Sequence, residues 1–218
     1  MTVPRVASRF DTHKDSRPRP SLGILLSGRG SNLQAILHAI EQDRLQATIA
    51  VVISNRPGAP GLERARAAGL ETLCFEPRAY PTRDAHDAAI VAALKARHVT
   101  LVCLAGYLRL LTPAFINAFP NAILNIHPSL LPAFPGLDAQ RQALEHGVKI
   151  TGATVHFVDD QLDTGPIVLQ TAVAVDDHDT VETLSARILE QEHQLYPEAI
   201  RRVLEGRWRF DGRRVVFD

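Results

Sequence analysis

The sequence predicts an α/β fold in which helices flank a mostly parallel sheet, and three observations lead to this prediction. From Leu22 onward, short apolar runs alternate with segments of helical pattern, as in βαβ units. The early runs are apolar throughout, as strands covered by helices on both faces are. Two later runs alternate apolar and polar residues more clearly, which is typical of an antiparallel pair. We therefore expect one doubly wound, Rossmann-like domain with an antiparallel extension near the C-terminus.

The first half of the chain contains four strand patterns and three helix patterns in alternation. The predicted strands are LGILLS, ATIAVVIS, ETLCFE and VTLVCLAG, and the predicted helices are SNLQAILHAIEQDRL, LERARAAG and TRDAHDAAIVAALKARH. In the first helix, apolar residues recur at helical spacing from Leu33 to Ile40. Ser31 or Asn32 is suited to cap that helix, and Gly69 is expected to close the second one.

The second half predicts a short helix, LTPAFINAFP, and then a fifth strand, AILNIH. ITGATVHFV and GPIVLQTAVAV follow as the antiparallel extension, and a long helix with an expected kink at Pro197 comes after them. The last residues, RWRFDGRRVVFD, predict a small hairpin that turns at Asp211-Gly212. Residues 22–218 show neither a repeat nor a linker and are expected to form one domain, whereas residues 1–21 predict a disordered leader.

Composition narrows the class of protein. Lys plus Arg and Asp plus Glu number 24 each, and this balance argues against a broad nucleic-acid or membrane surface. Apolar runs stay shorter than the ~20 residues that cross a bilayer, and the first residues lack the apolar stretch of a secretory signal. A cytoplasmic enzyme or binding protein is expected. Cys74 and Cys103 stand in apolar runs, and each is predicted to be a buried core residue.

In sheets of this kind, ligands bind at the carboxyl ends of the strands. The first strand ends in SGRGSN and opens directly into a helix, so glycines and unpaired N–H groups could hold a phosphate there, although a plain tight turn explains the pattern equally well. The fourth strand ends in AGYLRLLTP, where leucines surround Arg109, and ordinary core leading into a helix is the favoured interpretation of that stretch.

The fifth strand ends in Asn125-Ile126-His127, and a period of two places the amide and the imidazole on one side. Two such groups could stabilise one developing negative charge, although a hydrogen-bonded core pair is equally consistent. Asp163 lies in a later loop and could fold back beside His127, where a carboxylate keeps an imidazole charged or able to pass on a proton.

His156, on the preceding strand, could join this group, which makes a metal site a rival interpretation. The spacing of these residues matches no known metal motif, so no metal is expected. Acyl-enzyme chemistry also lacks support, because neither Ser nor Cys stands in a recognisable nucleophile turn.

Several motifs in order resemble one family, from about Leu22 to about Gly206. LLSGRGSNLQAI, VVISNRPGAPGLERARAAG, LAGYLRLLTPAF, LNIHPSLLPAFPG, GATVHFVDDQLDTGPIVLQ and QEHQLYP together resemble the phosphoribosylglycinamide formyltransferases, folate-dependent enzymes of purine synthesis. The Asn-x-His-Pro-Ser and Leu-Asp-x-Gly-Pro stretches are specific to folate formyltransferases as a group, and the Ser-Gly-x-Gly-Ser-Asn loop narrows the choice to the glycinamide ribonucleotide enzymes.

This resemblance implies transfer of a formyl group from 10-formyltetrahydrofolate, a cosubstrate, to the amine of 5-phosphoribosylglycinamide. It implies small-molecule partners only, in a monomer or homodimer. The catalytic residues that it implies are Asn125, His127 and Asp163, with His156 beside them. The implied ribonucleotide-binding residues are Gly30, Ser31, Asn32 and Glu192. The implied folate-binding residues are Arg83, Leu108, Arg109, Leu110, Leu111, Asn125 and Asp159 with the loop onward to Asp163.

The sequence departs from this family at Arg29, where asparagine is frequent, and at Asp138 and Ala139, where some relatives carry histidine and threonine. Three alternative functions would each require something different of the sequence. A methionyl-tRNA formyltransferase is expected to need a further C-terminal domain, and a formyltetrahydrofolate hydrolase to carry an N-terminal regulatory domain. A non-catalytic folate- or nucleotide-binding module would have little reason to hold Asn125, His127 and Asp163 together.

Overall fold

The computed structural model describes residues 19–218, so most of the predicted leader lies outside the described residues. The strands are β1 (Ser21–Leu26), β2 (Thr48–Ser54), β3 (Thr72–Cys74), β4 (Leu101–Leu104), β5 (Ile123–His127), β6 (Ile150–Phe157), β7 (Ile167–Ala174), β8 (Trp208–Asp211) and β9 (Arg214–Phe217). The helices are α1 (Ser31–Glu41), α2 (Pro60–Ala67), α3 (Arg83–Lys95), α4 (Pro113–Ala118), α5 (Ala139–Glu145) and α6 (Val181–Leu204).

The strands form one sheet in the order β3-β2-β1-β4-β5-β6-β7-β9-β8. The first five pair in parallel, and β6 and β7 pair antiparallel, as the sequence predicts. Chain order reverses at β1, which lies between β2 and β4. In doubly wound sheets this reversal opens a crevice at the carboxyl edge, because the connections on its two sides leave toward opposite faces.

Alternate residues of the parallel strands supply two separate cores. Ile24 and Leu26 face a cluster that α1, α2 and α6 cover, whereas Leu25 faces a cluster that α3 and α4 cover. Because both faces are buried, the strands contain few polar residues, which explains the apolar runs in the sequence. The helices of residues 19–218 include none that is long and apolar enough to cross a membrane.

The start of α1 differs from its prediction. The N-cap is Gly30, and neither Ser31 nor Asn32 caps the helix. Gly30 has φ 74°, and a Cβ built there would lie 2.6 Å from the Cα of Gly61 at the start of α2. The close approach of the two helix starts therefore requires a glycine, and the amide of Asn32 is left for another partner.

One other prediction is wrong. Cys74 is exposed because β3 is a short edge strand, whereas Cys103 is buried in a central one as predicted. Helix α6 runs from Val181 to Leu204 with Pro197 inside it, so the single long helix is present as predicted, and the kink stays a prediction. Helix α5 was not predicted, because it has two buried alanines on one face and an N-cap, Asp138, that makes no side-chain cap.

The C-terminal hairpin is present, with its turn one residue later than predicted. Asp211 pairs with Arg214, so Gly212 and Arg213 form the turn. Strand β9 pairs in parallel with β7, and the Arg213 guanidinium donates to the carbonyl of Thr164 in the loop between β6 and β7. The rings of Trp208 and Phe210 also contact the ring of Phe157 at the end of β6, with centroids 4.9 and 5.4 Å away.

Candidate active site

Four polar side chains converge on the sheet face that carries the end of β5. Asn125 and His127 project from β5, His156 is paired with Asn125 across the β5–β6 ladder, and Asp163 reaches them from the β6–β7 loop. The Nδ1 atom of His127 lies 3.4 Å from Oδ2 of Asp163, and Nε2 of His156 lies 3.7 Å from Oδ1 of the same carboxylate. The structure thus brings together the four residues that the sequence proposed as a group.

Both ring nitrogens of His127 face oxygen atoms. Nε2 lies 2.8 Å from the carbonyl oxygen of Phe134, and Nδ1 faces Asp163. A neutral imidazole has one N–H donor, so only the protonated ring can donate to both acceptors. His127 is almost fully buried, and the arrangement suits a cation held between a carbonyl and a carboxylate.

His156 is bound differently, and it orients Asn125. Burial lowers the pKa of His156, while the Phe157 carbonyl and Asp163 act in the opposite direction. Its Nδ1 lies 2.8 Å from the carbonyl oxygen of Phe157 and therefore carries the proton. Nε2 is then an acceptor for the Asn125 amide nitrogen at 3.2 Å. The other N–H of that amide donates to no acceptor within residues 19–218 and can donate to a ligand.

The loop that carries Asp163 is fixed by backbone contacts. Asp163 itself has φ 53°, and its Oδ2 accepts the N–H of Gly136 at 2.8 Å. A Cβ on Gly165 would lie 1.8 Å from the carbonyl oxygen of Phe157, so a larger residue there would push the loop off the strand. These contacts leave the Asp163 side chain 11% exposed beside His127.

The start of α1 forms the second part of the site. Gly30 and Ser31 lead into the helix, whose first N–H groups carry the positive end of its dipole. The amide nitrogen of Asn32 donates to Glu192 of α6 at 2.8 Å, and its amide oxygen has no hydrogen-bond partner among residues 19–218. Glu192 is only 7% exposed. Burial raises its pKa, and the Asn32 hydrogen bond and the charge of Arg29 oppose this rise.

We expect Glu192→Gln to stabilise the protein at neutral pH. A carboxyl whose pKa is raised on folding favours the folded state at low pH, and that contribution is lost as pH rises from its ordinary pKa through the raised one. Glutamine removes this loss and can still accept from Asn32. Stabilising substitutions of this kind raise the free energy of unfolding by about 0.5–2 kcal/mol, and each kcal/mol raises the melting temperature by ~2–4 °C. Thermal melting at pH 4 and pH 8 tests it.

Glu198, on the same helix, is the matched control. Hydrogen bonds from Arg201 and Arg202 lower its pKa to about 2, so the ionised Glu198 stabilises the folded protein at neutral pH, the opposite of the effect expected for Glu192. Glu198→Gln should therefore lower the melting temperature at pH 8. If Glu192→Gln melted lower than the parent protein at pH 8, burial would not be the dominant influence on Glu192.

The segment after β4 is the third part of the site. Leu108 and Leu110 are each 55% exposed, and Leu111 is half-buried. Arg83 of α3 donates to the carbonyl of Leu110 at 2.9 Å. The Nε of Arg109 is buried and has no hydrogen-bond partner in the described part of the chain. The segment therefore presents apolar side chains and a cation.

Asp159 stays within its own loop. Its carboxylate accepts the Thr164 hydroxyl at 2.8 Å and the Gln161 N–H at 3.2 Å. It thereby shapes the loop that contains Asp163. Among the described residues, Asp159 forms no hydrogen bond with Asn125 or His127.

Sequence reasoning missed several contributors. The Phe134 carbonyl and the Gly136 N–H are backbone groups, and every residue type has them, so the sequence cannot indicate their role. His86 and Asp87, a buried pair on α3 that contacts the segment after β4, stand in a helical pattern that gave no sign of a role. In the described range, no three His, Cys, Asp or Glu side chains are grouped as metal ligands.

A family model described as "Formyl transferase" matches residues 22–200. The chain belongs to the formyl transferase family. This formyl transferase is 44% identical over 181 residues to the phosphoribosylglycinamide formyltransferase of Bacillus subtilis (strain 168), covering 83% of this chain and 93% of that protein. It is also 44% identical over 193 residues to the trifunctional purine biosynthetic protein adenosine-3 of Chironomus tentans, of which it covers 14%.

Solved structures agree with this membership. The formyl transferase superposes on glycinamide ribonucleotide transformylase 1 from Symbiobacterium toebii with a TM-score of 0.90 and 59% identity, covering 91% of this chain and 94% of that one. A formyltetrahydrofolate deformylase from Pseudomonas syringae pv. tomato gives a TM-score of 0.85 at 27% identity, covering 92% of this chain and 66% of that one.

The three residues at which the sequence departs from the family lie at the starts of two helices in this formyl transferase. Asp138 has φ 55° and precedes α5, and Ala139 is fully buried at the start of that helix. Arg29 is exposed beside the start of α1, where it adds a positive charge near Glu192.

Proposed function

We propose that the protein transfers the formyl group of 10-formyltetrahydrofolate to the amine of 5-phosphoribosylglycinamide, a step of de novo purine biosynthesis. The observation that carries this proposal is the grouping of Asn125, His127 and Asp163 in a chain that aligns with phosphoribosylglycinamide formyltransferases over nearly their whole length. Formyl-folate is a cosubstrate, because it gives up its one-carbon group in each cycle.

The chemistry makes and breaks one bond at the formyl carbon. The amine nitrogen attacks this carbon, and the carbonyl oxygen takes up negative charge in a tetrahedral intermediate. The bond to N10 of the folate then breaks, as the amine loses a proton and N10 gains one. The free N–H of the Asn125 amide is the donor best placed for the developing oxyanion, since His156 fixes its orientation.

His127 and Asp163 act as a charged pair in this scheme. Both nitrogens of His127 already face oxygen atoms, so its contribution is positive charge near the oxyanion unless it releases the Phe134 carbonyl. Asp163 is the carboxylate that faces Nδ1 of that ring, 3.4 Å away. It accepts the proton of the attacking amine, through water, and returns it to the leaving nitrogen.

Two further regions bind the substrates. The phosphate of the ribonucleotide lies at the start of α1, where Gly30, Ser31 and Asn32 offer N–H groups, and Glu192 binds the glycinamide part of the substrate. Support comes from the helix dipole and from the buried Asn32–Glu192 contact.

Folate binds along the segment Leu108–Leu111, with Arg83 and the loop from Asp159 to Asp163 beside it and Asn125 at its reactive end. The exposed leucines suit the flat pterin ring, and Arg109 suits the carboxylates of the folate tail.

The test is consumption of 10-formyltetrahydrofolate with and without the ribonucleotide. We expect absorbance to report loss of the formyl group only when 5-phosphoribosylglycinamide is present, with formylated product formed in equal amount. Loss of the formyl group at the same rate in its absence would refute the transfer reaction.

A formyltetrahydrofolate deformylase is the alternative function, favoured by the structural similarity to the Pseudomonas syringae enzyme. Water would replace the amine in that reaction, and formate would be released. The glycine loop and Glu192 favour transfer, because water needs no site for a phosphate. A cytoplasmic location, a monomeric or homodimeric state, and the single domain from residue 22 remain predictions from the sequence.

A further inference from the structure

Helix α3 holds the segment between β4 and α4 at two points. Arg83 donates to the carbonyl of Leu110, and one turn later Oδ2 of Asp87 accepts the N–H of Thr112 at 2.8 Å. At the other end of the segment, the N–H of Leu108 donates to the Ser27 hydroxyl at 2.9 Å. The backbone is therefore tied at its start, middle and end.

Asp87, like Ser27, is a buried anchor. Its side chain is only 4% exposed, and its Oδ1 lies 3.1 Å from Nδ1 of His86. The Nε2 of His86 lies 2.9 Å from the carbonyl oxygen of Phe75, so both ring nitrogens face oxygen atoms, as those of His127 do. A buried carboxylate is stable only with such partners, and here one of its two oxygens is committed to the segment's backbone.

Tyr107 and Thr112 on either side are buried, but Leu108–Leu111 between them bury little that could fix the shape of this part of the segment. Leu108 and Leu110 are largely exposed, and the buried Nε of Arg109 has no hydrogen-bond partner within residues 19–218. Its conformation must then depend on the backbone anchors more than on its own packing.

We infer that Asp87 is a positioning residue for the folate: through the Thr112 N–H it sets the path of Leu108–Leu111. This inference rests on the proposed function, since it assigns that segment to the folate. Asp87 touches no substrate, so its loss should weaken folate binding while leaving the ribonucleotide site, around Glu192, unchanged.

The experiment compares Asp87→Ala, Asp87→Asn and a matched control. Asp179→Asn is the control, because the Asp179 side chain is also only 3% exposed, accepts a backbone N–H at 2.8 Å and pairs with a cation, Arg187. It lies before α6, outside all three parts of the site. For each variant we would measure the KM for each of the two substrates, the Kd of tetrahydrofolate and the melting temperature.

We expect Asp87→Ala to raise the KM for formyl-folate and the Kd of tetrahydrofolate about ten- to hundredfold, with the KM for the ribonucleotide unchanged. Asp87→Asn keeps an oxygen for Thr112 and should show a smaller rise, and it remains informative if the alanine variant fails to fold. Asp179→Asn should lower the melting temperature and leave both KM values unchanged.

The outcomes separate this inference from the proposed function. If Asp87→Asn melts lower, as the control does, but binds tetrahydrofolate as the parent protein does, Asp87 is merely structural and the inference is wrong. If the parent protein binds tetrahydrofolate without transferring the formyl group, the proposed function fails, and the Kd comparison still decides the role of Asp87. Absence of folate binding by the parent protein overturns both.

Discussion

Asn125→Ala is expected to lower kcat by about a hundred- to a thousandfold while KM for both substrates changes little. The reason is that the Asn125 amide is the group with an N–H available for the oxyanion, and one lost donor of this kind typically has that effect. Steady-state kinetics with each substrate varied in turn measures it. Because the oxyanion exists only during the reaction, the loss should fall on kcat.

Two variants control for damage to the fold. Asn125→Asp preserves the shape but replaces the donor by an acceptor, so it should be as inactive as the alanine variant. Thr151→Val alters a buried polar residue of β6, beyond the part that pairs with β5, whose hydroxyl has no hydrogen-bond partner in the described residues, and it should retain full activity. An Asn125→Ala protein with more than about a tenth of the parent kcat would exclude Asn125 as the main oxyanion donor.

His127→Ala and Asp163→Asn are expected to lower kcat by similar factors, each about a hundredfold or more. Either change breaks the pair in which Asp163 faces Nδ1 of His127 at 3.4 Å. Without the carboxylate, the buried ring loses the charged partner at its Nδ1 atom, and the proton of the amine loses its acceptor. Without the ring, the carboxylate remains but the positive charge near the oxyanion is gone.

The double variant distinguishes a pair from two independent groups. If His127 and Asp163 act together, the combined loss should be close to that of the worse single variant and far below the product of the two. Multiplicative losses would show that they act separately. Retention of most activity by His127→Ala would contradict the mechanism itself. Melting temperatures check that the variants fold. We expect His127→Ala to fold, because the Ser129 hydroxyl also donates to the Phe134 carbonyl, at 3.4 Å, and can partly replace the ring as its donor.

The fold could be predicted largely from the sequence because its strands are short apolar runs between clear helical patterns. The errors occur where neighbours decide the outcome. Gly30 begins α1 because Gly61 lies against it, a contact between residues of two helices that spacing cannot indicate. Cys74 is exposed because β3 lies at the edge of the sheet, and sheet order is a tertiary property.

The candidate site could be predicted in part. Asn125 and His127 stand two residues apart at a strand end, so their common side follows from the period of the strand. The approach of Asp163 to within 3.4 Å of His127 could not be predicted, because it depends on the path of the loop. That path depends on the Gly136 N–H and on the space that Gly165 leaves. Asp87 lies in an ordinary amphipathic pattern, and only its contact with Thr112 distinguishes it.

The C-terminal hairpin affects when the protein can become active during its synthesis. The family model ends at residue 200, yet Arg213 contacts the loop that carries Asp163, and the rings of Trp208 and Phe210 pack on the strand that leads into it. A ribosome therefore makes every proposed catalytic residue before it makes the segment that supports them. We therefore expect the contacts that the hairpin makes with this loop and with β6 to form only after residues 208–217 have emerged and joined β7.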